Sequence, residues 1–285
     1  MKSDNCIYSE FLRYKPSVLL LLLFMLSNNT AFSKDEYLVG IVPQFDKRKT
    51  HQIWTPILSE LEIRTGFKFK LVGSKIIPDF EKQYLKGKFD FAYMNPYFML
   101  LAHKQQGYTP LVKDVGRKLY GIVVVRKDSP IQNIKQLNGE IVAFPSANAM
   151  GASLVPRADL INKFNIKITP MYVQTHTSVY LNVIQRRTKA GGGVQKTLEQ
   201  QPQSLRDLLR VLYKTREFNP HAFAAHGRIP AEHRKLVRNA LLEMGETERG
   251  RAMLRKIPVK KIGQAHMDDY KELEQWGLDK VYVNE

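Results

Sequence analysis

Three short stretches combine the residue types and turn chemistry needed to hold an anion. The first, residues 144–157, reads FPSANAMGASLVPR. It follows a short strand-like run at 140–144, and Leu154, Val155, Leu160, Ile161 and Phe164 recur after it at helical spacing. Ser146 and Asn148 are N-cap candidates in the turn between, and the backbone N–H groups of Asn148, Ala149, Met150 and Gly151 would open onto a ligand. A strand, a tight turn of small residues and a helix start together present unpaired N–H donors to an oxyanion. The same pattern also describes a loop that only caps its own helix. The second stretch, residues 175–180, repeats the strand-to-helix arrangement with Thr175, His176, Thr177 and Ser178. Two of these hydroxyls and the imidazole could donate to an anion, the imidazole adding charge when protonated. A capped surface helix is the plainer alternative. In the third, residues 90–97, Tyr93, Asn95 and Tyr97 surround a polar turn at the end of a strand. Tyr120 lies where the chain is expected to cross between lobes.

Bond-breaking chemistry finds no comparable support. The chain has no G-x-S-x-G nucleophile turn, no H-E-x-x-H pair and no histidines at metal-ligand spacing. Its seven histidines are dispersed. The run Gly191–Gly192–Gly193 lacks the spacing and the lysine–serine pair of a nucleotide-binding loop, and reads as a strand end needing close backbone approach. A binding protein without enzyme activity, cofactor or metal is therefore expected.

The elements that would position these residues alternate. Strands are expected at 37–42, 67–72, 89–93, 118–125, 140–144 and 168–173, and helices at 51–64, 78–85, 96–107, 178–187, 195–198 and 231–244. Residues 208–213 fit either a strand or a helix end. Repeated strand–helix order predicts an α/β fold with mixed sheets flanked by helices, and the number of units predicts two lobes rather than one sheet. The expected crossings lie near 116–120 and 216–220.

The N-terminus reads as a secretory signal. Lys2, Arg13 and Lys15 precede the apolar run VLLLLLFML at 18–26, and Ala31-Phe32-Ser33 offers a cleavage site before Lys34. The run is short for a bilayer core of about 30 Å. The single cysteine, Cys6, lies upstream of it, so a chain starting at Lys34 has no thiol and its fold rests on its core. A formal net charge of +17 over 285 residues suits an anionic partner. Its lysines and arginines are scattered, and no nucleic-acid-binding motif accompanies them, so nucleic acid is not expected as a partner.

Taken in order, YLVGIVP, FDFAYMNPYFMLLA, LYGIVVVRKDSPIQNIKQLNGEIVAF, NAMGASLVPR, YVQTHTSVYLNVIQ, AGGGVQKTL and NPHAFAAH resemble the periplasmic phosphate, phosphite and phosphonate binding proteins of ABC transporters. The resemblance spans nearly all of the chain after the leader. It implies a type II periplasmic binding protein fold, with two lobes joined by two hinge crossings and a ligand in the cleft. The implied organisation is a signal peptide at 1–33, a first lobe from 34–118 and 219–285, and a second lobe from 119–218. The ligand would be a small oxyanion, contacted by Tyr93, Asn95, Tyr120, Ser146, Asn148, Ala149, Met150, Gly151, His176, Thr177 and Ser178. It would be delivered in the periplasm to an ABC permease, with membrane contact only through that partner. The alternative is a sensory module that signals to a histidine kinase or another envelope partner. Two departures stand out. The family's serine-threonine-serine-glycine run is replaced here by Asn148-Ala149-Met150-Gly151, and its acidic residue before the glycine run by Lys189.

Overall fold

Hydrophobic patterning sorts the strands into two separate sheets. The structure, a computed structural model, describes residues 36–257 and 259–284; the expected leader lies outside them. One sheet has six strands: β1 (Tyr37–Ile41), β2 (Phe69–Val72), β3 (Phe91–Met94), β4 (Thr109–Asp114), β10 (Ala222–Ala225) and β11 (Ile262–Gln264), in the order β11-β4-β10-β3-β1-β2. The other has five: β5 (Leu119–Arg126), β6 (Ile141–Phe144), β7 (Thr169–Tyr172), β8 (Ala190–Val194) and β9 (Leu209–Phe218), in the order β7-β6-β8-β5-β9. Both sheets are mixed. In the first, β1 runs parallel to β2 and β3, while β10 is antiparallel to both β3 and β4. In the second, β6 is parallel to β7 and β8, while β5 is antiparallel to β8 and β9. The molecule is a two-lobed α/β structure.

The chain passes between the sheets twice, from Asp114 to Leu119 and from Phe218 to Ala222. Asn219 ties these passages together: its Oδ1 accepts from Lys113 Nζ (2.9 Å) and Lys118 Nζ (2.8 Å), and its Nδ2 donates to the Asp269 carbonyl (2.6 Å). Beside them, the buried Asp114 carboxylate accepts from the N–H groups of Gly116 (2.9 Å), Lys260 (2.9 Å) and Lys261 (3.0 Å), and from Arg117 Nε (3.1 Å). These donors tie the 115–118 passage to the loop at 260–261 through one buried side chain.

The helices dock by their apolar stripes. α1 (Lys47–Thr65) buries Ile53, Trp54, Ile57, Leu58 and Leu61, as its periodicity predicts. It begins four residues earlier than expected because the Asp46 side chain caps it, accepting from Lys49 N at 2.9 Å. Its C-terminus is Gly66, at φ +73°, where a side chain would be strained. Next come α2 (Ile77–Leu85) and α3 (Pro96–Gln106), and, in the second lobe, α4 (Val155–Asn162), α5 (His176–Ile184), α6 (Gln195–Glu199) and α7 (Gln203–Arg206). Two further helices, α8 (Ala231–Glu246) and α9 (Glu248–Lys256), return to the first sheet. The expected strand-or-helix segment at 208–213 is strand, within the ten residues of β9. β4, β10 and β11 were not anticipated: each is short and lacks a clear alternation of burial, β10 being buried throughout.

The turn after β6 departs from expectation. Neither Ser146 nor Asn148 caps a helix. Instead Met150–Leu154 forms a wide turn of π type, with Ser153 N and Leu154 N both donating to the Ala149 carbonyl (2.7 and 3.2 Å), and α4 follows directly. Pro156 has no N–H to donate to the carbonyl of Ala152, four residues back, so the regular ladder cannot run through this segment. That carbonyl faces Gly192 on β8, where a Cβ would lie only 2.0 Å from it. The neighbouring Gly151 carbonyl makes the same approach to Gly121 on β5, also 2.0 Å from an added Cβ. Glycine at these two strand positions lets the turn lie against the sheet.

The last residues of the chain reach back to this turn. Asn148 exchanges two hydrogen bonds with the backbone of Val283, Nδ2 to its carbonyl (2.7 Å) and Oδ1 from its N–H (3.0 Å). Arg157 donates to the Val281 (2.9 Å) and Ala147 (3.0 Å) carbonyls. The buried Glu81 on α2 accepts from Asn148 Nδ2 at 3.0 and 3.2 Å and from the Tyr282 hydroxyl.

Candidate ligand-binding cleft

Strand ends and helix starts from both lobes converge on one cleft. The first lobe supplies the loop after β1 (Pro43, Gln44, Phe45), Ile77, Asn95 and His221. The second supplies Leu119, the turn Ala149–Met150–Gly151–Ala152, His176, Phe218 and the start of α6 with Lys196 and Thr197. The cleft continues outward into a wider mouth lined by Lys47, Lys49, Lys75, Thr175 and Thr177, sharing Gln44, Phe45, Ile77 and His176 with the inner part.

Local structure explains each placement. Asn95 sits at the start of α3 because its Oδ1 caps that helix, accepting from Phe98 N at 2.9 Å. Thr175 caps α5 in the same way, accepting from Ser178 N at 3.0 Å, which brings His176 to the cleft rim. Thr197 Oγ1 donates to the Val194 carbonyl (2.7 Å), lies 2.8 Å from the Tyr180 hydroxyl and contacts His176 Nδ1 at 3.3 Å. Opposite, Gln44 Nε2 lies 2.8 Å from His221 Nε2, so the ring accepts there and carries its proton on Nδ1. His221 also stacks on Tyr93, centroids 5.3 Å apart. At Met150–Leu154 the first N–H groups of the turn have no acceptor earlier in the turn, which leaves donors beside the cleft.

The basic groups of the cleft are held away from their charged forms. Burial lowers His176 to about 4. Burial, then Lys196 and His176, lowers His221 to about 3. Burial and the neighbouring Arg117 lower Lys196 to about 7, against a smaller opposing pull from Asp114. Lys196 Nζ makes one long hydrogen bond, to the Ile257 carbonyl at 3.4 Å, and among the described residues it pairs with no carboxylate. Three cations-in-waiting thus face a single apolar-walled space, and a bound anion would stabilise the charged form of each.

Of the residues singled out from sequence, the structure brings Asn95, Ala149, Met150, Gly151 and His176 together at the inner cleft, with Thr177 at the mouth. Tyr93 stands one layer behind, lining a small apolar cavity with Trp54 and backing His221. Tyr120 is half-buried on β5 with the Lys214 ammonium 5.5 Å from its ring centroid, and is not among the residues that line the cleft. Ser146 is buried and its hydroxyl has no hydrogen-bond partner. Asn148 spends its amide on Glu81 and Val283, and the Ser178 hydroxyl accepts from Thr175 Oγ1 at 2.8 Å. Gln44, Phe45, Lys196, Thr197 and His221 are not among the residues singled out from sequence. The available signal was Gln195-Lys196-Thr197 directly after the glycine run: a lysine at a helix start that follows a strand.

Two α/β lobes linked by two chain passages, with helix starts and basic side chains meeting between them, define a type II periplasmic binding protein. The chain belongs to the family described as "ABC transporter, phosphonate, periplasmic substrate-binding protein", whose model matches residues 39–270. This is a family of binding proteins rather than enzymes, and its members serve ABC transporters. No curated protein matches the sequence. Among solved structures, the chain is similar to a binding protein component of an ABC phosphonate transporter from Pseudomonas aeruginosa (16% identity, TM-score 0.76, covering 87% of this chain and 89% of that one). It is also similar to PhnD1 from Prochlorococcus marinus in complex with methylphosphonate (15%, 0.77, 87% and 99%). A Xanthomonas citri protein bound to ATP is comparably similar (16%, 0.73, 87% and 98%). At these identities the likeness establishes the fold alone.

Proposed function

We propose that the protein binds a small oxyanion, a phosphonate, phosphite or phosphate, in the interlobe cleft and delivers it to an ABC permease in the periplasm. One observation carries the reading: Lys196, His176 and His221 face the same cleft from both lobes, and no carboxylate lines its inner part among the described residues. A half-buried ammonium without a counter-ion is costly, and an anionic occupant relieves that cost. The N–H groups at the start of the Met150–Leu154 turn and of α5 would add uncharged donors. Of the other residues singled out, Asn95 and Thr177 would complete the polar contacts, and Tyr93 would hold His221 in place.

Isothermal titration of the chain starting at Lys34 against phosphate, phosphite, methylphosphonate and sulfate tests this. Binding of at least one anion at micromolar concentration, weakened about tenfold or more in Lys196→Met, is expected. Silence from every anion at millimolar concentration would remove the oxyanion assignment and favour the sensory reading, in which the cleft serves a kinase or envelope partner. Periplasmic placement predicts cleavage before Lys34; an exported chain whose intact mass retains residues 1–33 would contradict it.

A further inference from the structure

Among the described residues, no carboxylate lines the inner cleft to neutralise a positive charge. Each nearby acid is already engaged. Asp114 accepts from three backbone N–H groups and Arg117. Glu81 holds Asn148 and Tyr282. Asp46, at the outer mouth, caps α1. Uncharged acceptors are few too: Asn95 Oδ1 is taken by Phe98 N, and Thr197 Oγ1 is shared among Val194, Tyr180 and His176, which leaves the side-chain oxygens of Gln44 and Gln200. Elsewhere the wall is apolar, with Phe45, Ile77, Leu119, Met150 and Phe218. An ammonium carried into this space would face the Lys196 ammonium across a poorly hydrated gap, where like charges repel strongly.

We propose that Lys196 makes the cleft selective for anions whose substituent is uncharged, excluding zwitterions such as aminoalkylphosphonates. The inference rests on the oxyanion reading above and goes further by naming the substrate class. The substituent would lie against the Phe45, Met150 and Phe218 side, where hydrocarbon is accepted and an ammonium finds no counter-charge. Lys196 acts by differential affinity: it attracts the anionic head of every candidate but repels a cationic tail, so discrimination comes from a repulsive element as well as an attractive one.

The test compares propylphosphonate with 2-aminoethylphosphonate, which have equal numbers of heavy atoms and differ by a methyl in place of an ammonium. Calorimetric titration of the chain starting at Lys34 should give at least about tenfold tighter binding of propylphosphonate at pH 7. Lys196→Met should narrow that ratio, and Lys196→Glu should invert it, with folding of each variant checked by its thermal melt. If 2-aminoethylphosphonate binds as tightly as propylphosphonate to the wild type, the selectivity is refuted while anion binding stands. A ratio unchanged in Lys196→Met assigns selectivity elsewhere and overturns the role of Lys196. If neither phosphonate nor phosphate binds at millimolar concentration, the oxyanion reading fails and takes this inference with it.

Discussion

Anion binding should drag a proton into the cleft at alkaline pH, and Lys196 should be the group that takes it. With its ammonium lowered to about 7, Lys196 carries only about 0.1 proton at pH 8 in the free protein. An anionic oxygen about 4 Å away, at an effective dielectric of about 20, favours the charged form by roughly 4 kcal/mol, or about three pKa units. The bound lysine would then titrate near 10 and be protonated at pH 8, an uptake of about 0.9 proton. At pH 6 the free lysine is already charged, and its uptake falls to about 0.1. Affinity should fall about fivefold from pH 7 to 8 and about eightfold from pH 8 to 9, because the single proton taken up on binding is drawn from an ever more dilute supply. The other charged groups facing Lys196 do not change this window. Asp114 is committed to its four donors, Arg117 among them, and His221 and His176 start near 3 and 4, so their uptake comes below pH 7. Titration calorimetry at pH 8 in two buffers of different ionisation enthalpy reads the uptake as a slope. The same experiment on Lys196→Met subtracts the anion's own protonation. An uptake below about 0.3 proton in the wild type, or one that persists in Lys196→Met, would refute the reasoning.

Further predictions concern the free protein and its frame. Because His176 and His221 fold with pKa values near 4 and 3, below the unfolded value of about 6.5, the unfolded chain binds protons that the native state refuses. Stability is therefore full above pH 6.5 and is lost as pH falls from 6.5 toward 4; the melting temperature should drop across that interval, and a His176→Gln, His221→Gln double variant should flatten the drop. Gly192→Ala places a Cβ 2.0 Å from the Ala152 carbonyl and 2.5 Å from the Phe144 ring, so denaturant titration should show a loss of about 2 kcal/mol or more. An unchanged midpoint would mean that the Met150–Leu154 turn does not lie against β8. Asp114→Asn replaces an acceptor of four hydrogen bonds with a group that cannot accept them all, and should cost about 3 kcal/mol by the same measurement.

Strong periodicity made the larger elements readable. α1 announces itself through Ile53, Trp54, Ile57, Leu58 and Leu61, and β5 through its unbroken apolar run. β4 and β11 resisted because six and three residues of mixed burial carry too little pattern, and their pairing is set by neighbours distant in sequence. The same holds for the cleft. His176 was legible because a threonine cap, a strand and a helix start are all local signals. Lys196 and His221 were not, because their importance comes from facing each other across two lobes, which no local pattern encodes. Asn148 shows the converse: its type and position suit a cap, yet Val283, 135 residues away in sequence, claims its amide.

That claim on Asn148 alters how a cleft of this kind would work. If the two chain passages alone joined the lobes, they would define an axis, and the lobes could sway freely about it. The bonds from Asn148 and Arg157 to residues 281–283, with Glu81 and Tyr282 behind them, add an attachment beyond the two passages. A door on two hinges has become a door with a latch. Opening would then be a discrete event, limited by the rate at which a few hydrogen bonds release together, so the residence time of any ligand would be set partly by residues 281–283, which do not line the cleft. Asn148→Ala would remove that latch, and kinetics measured on such a variant would describe a looser molecule than the native one.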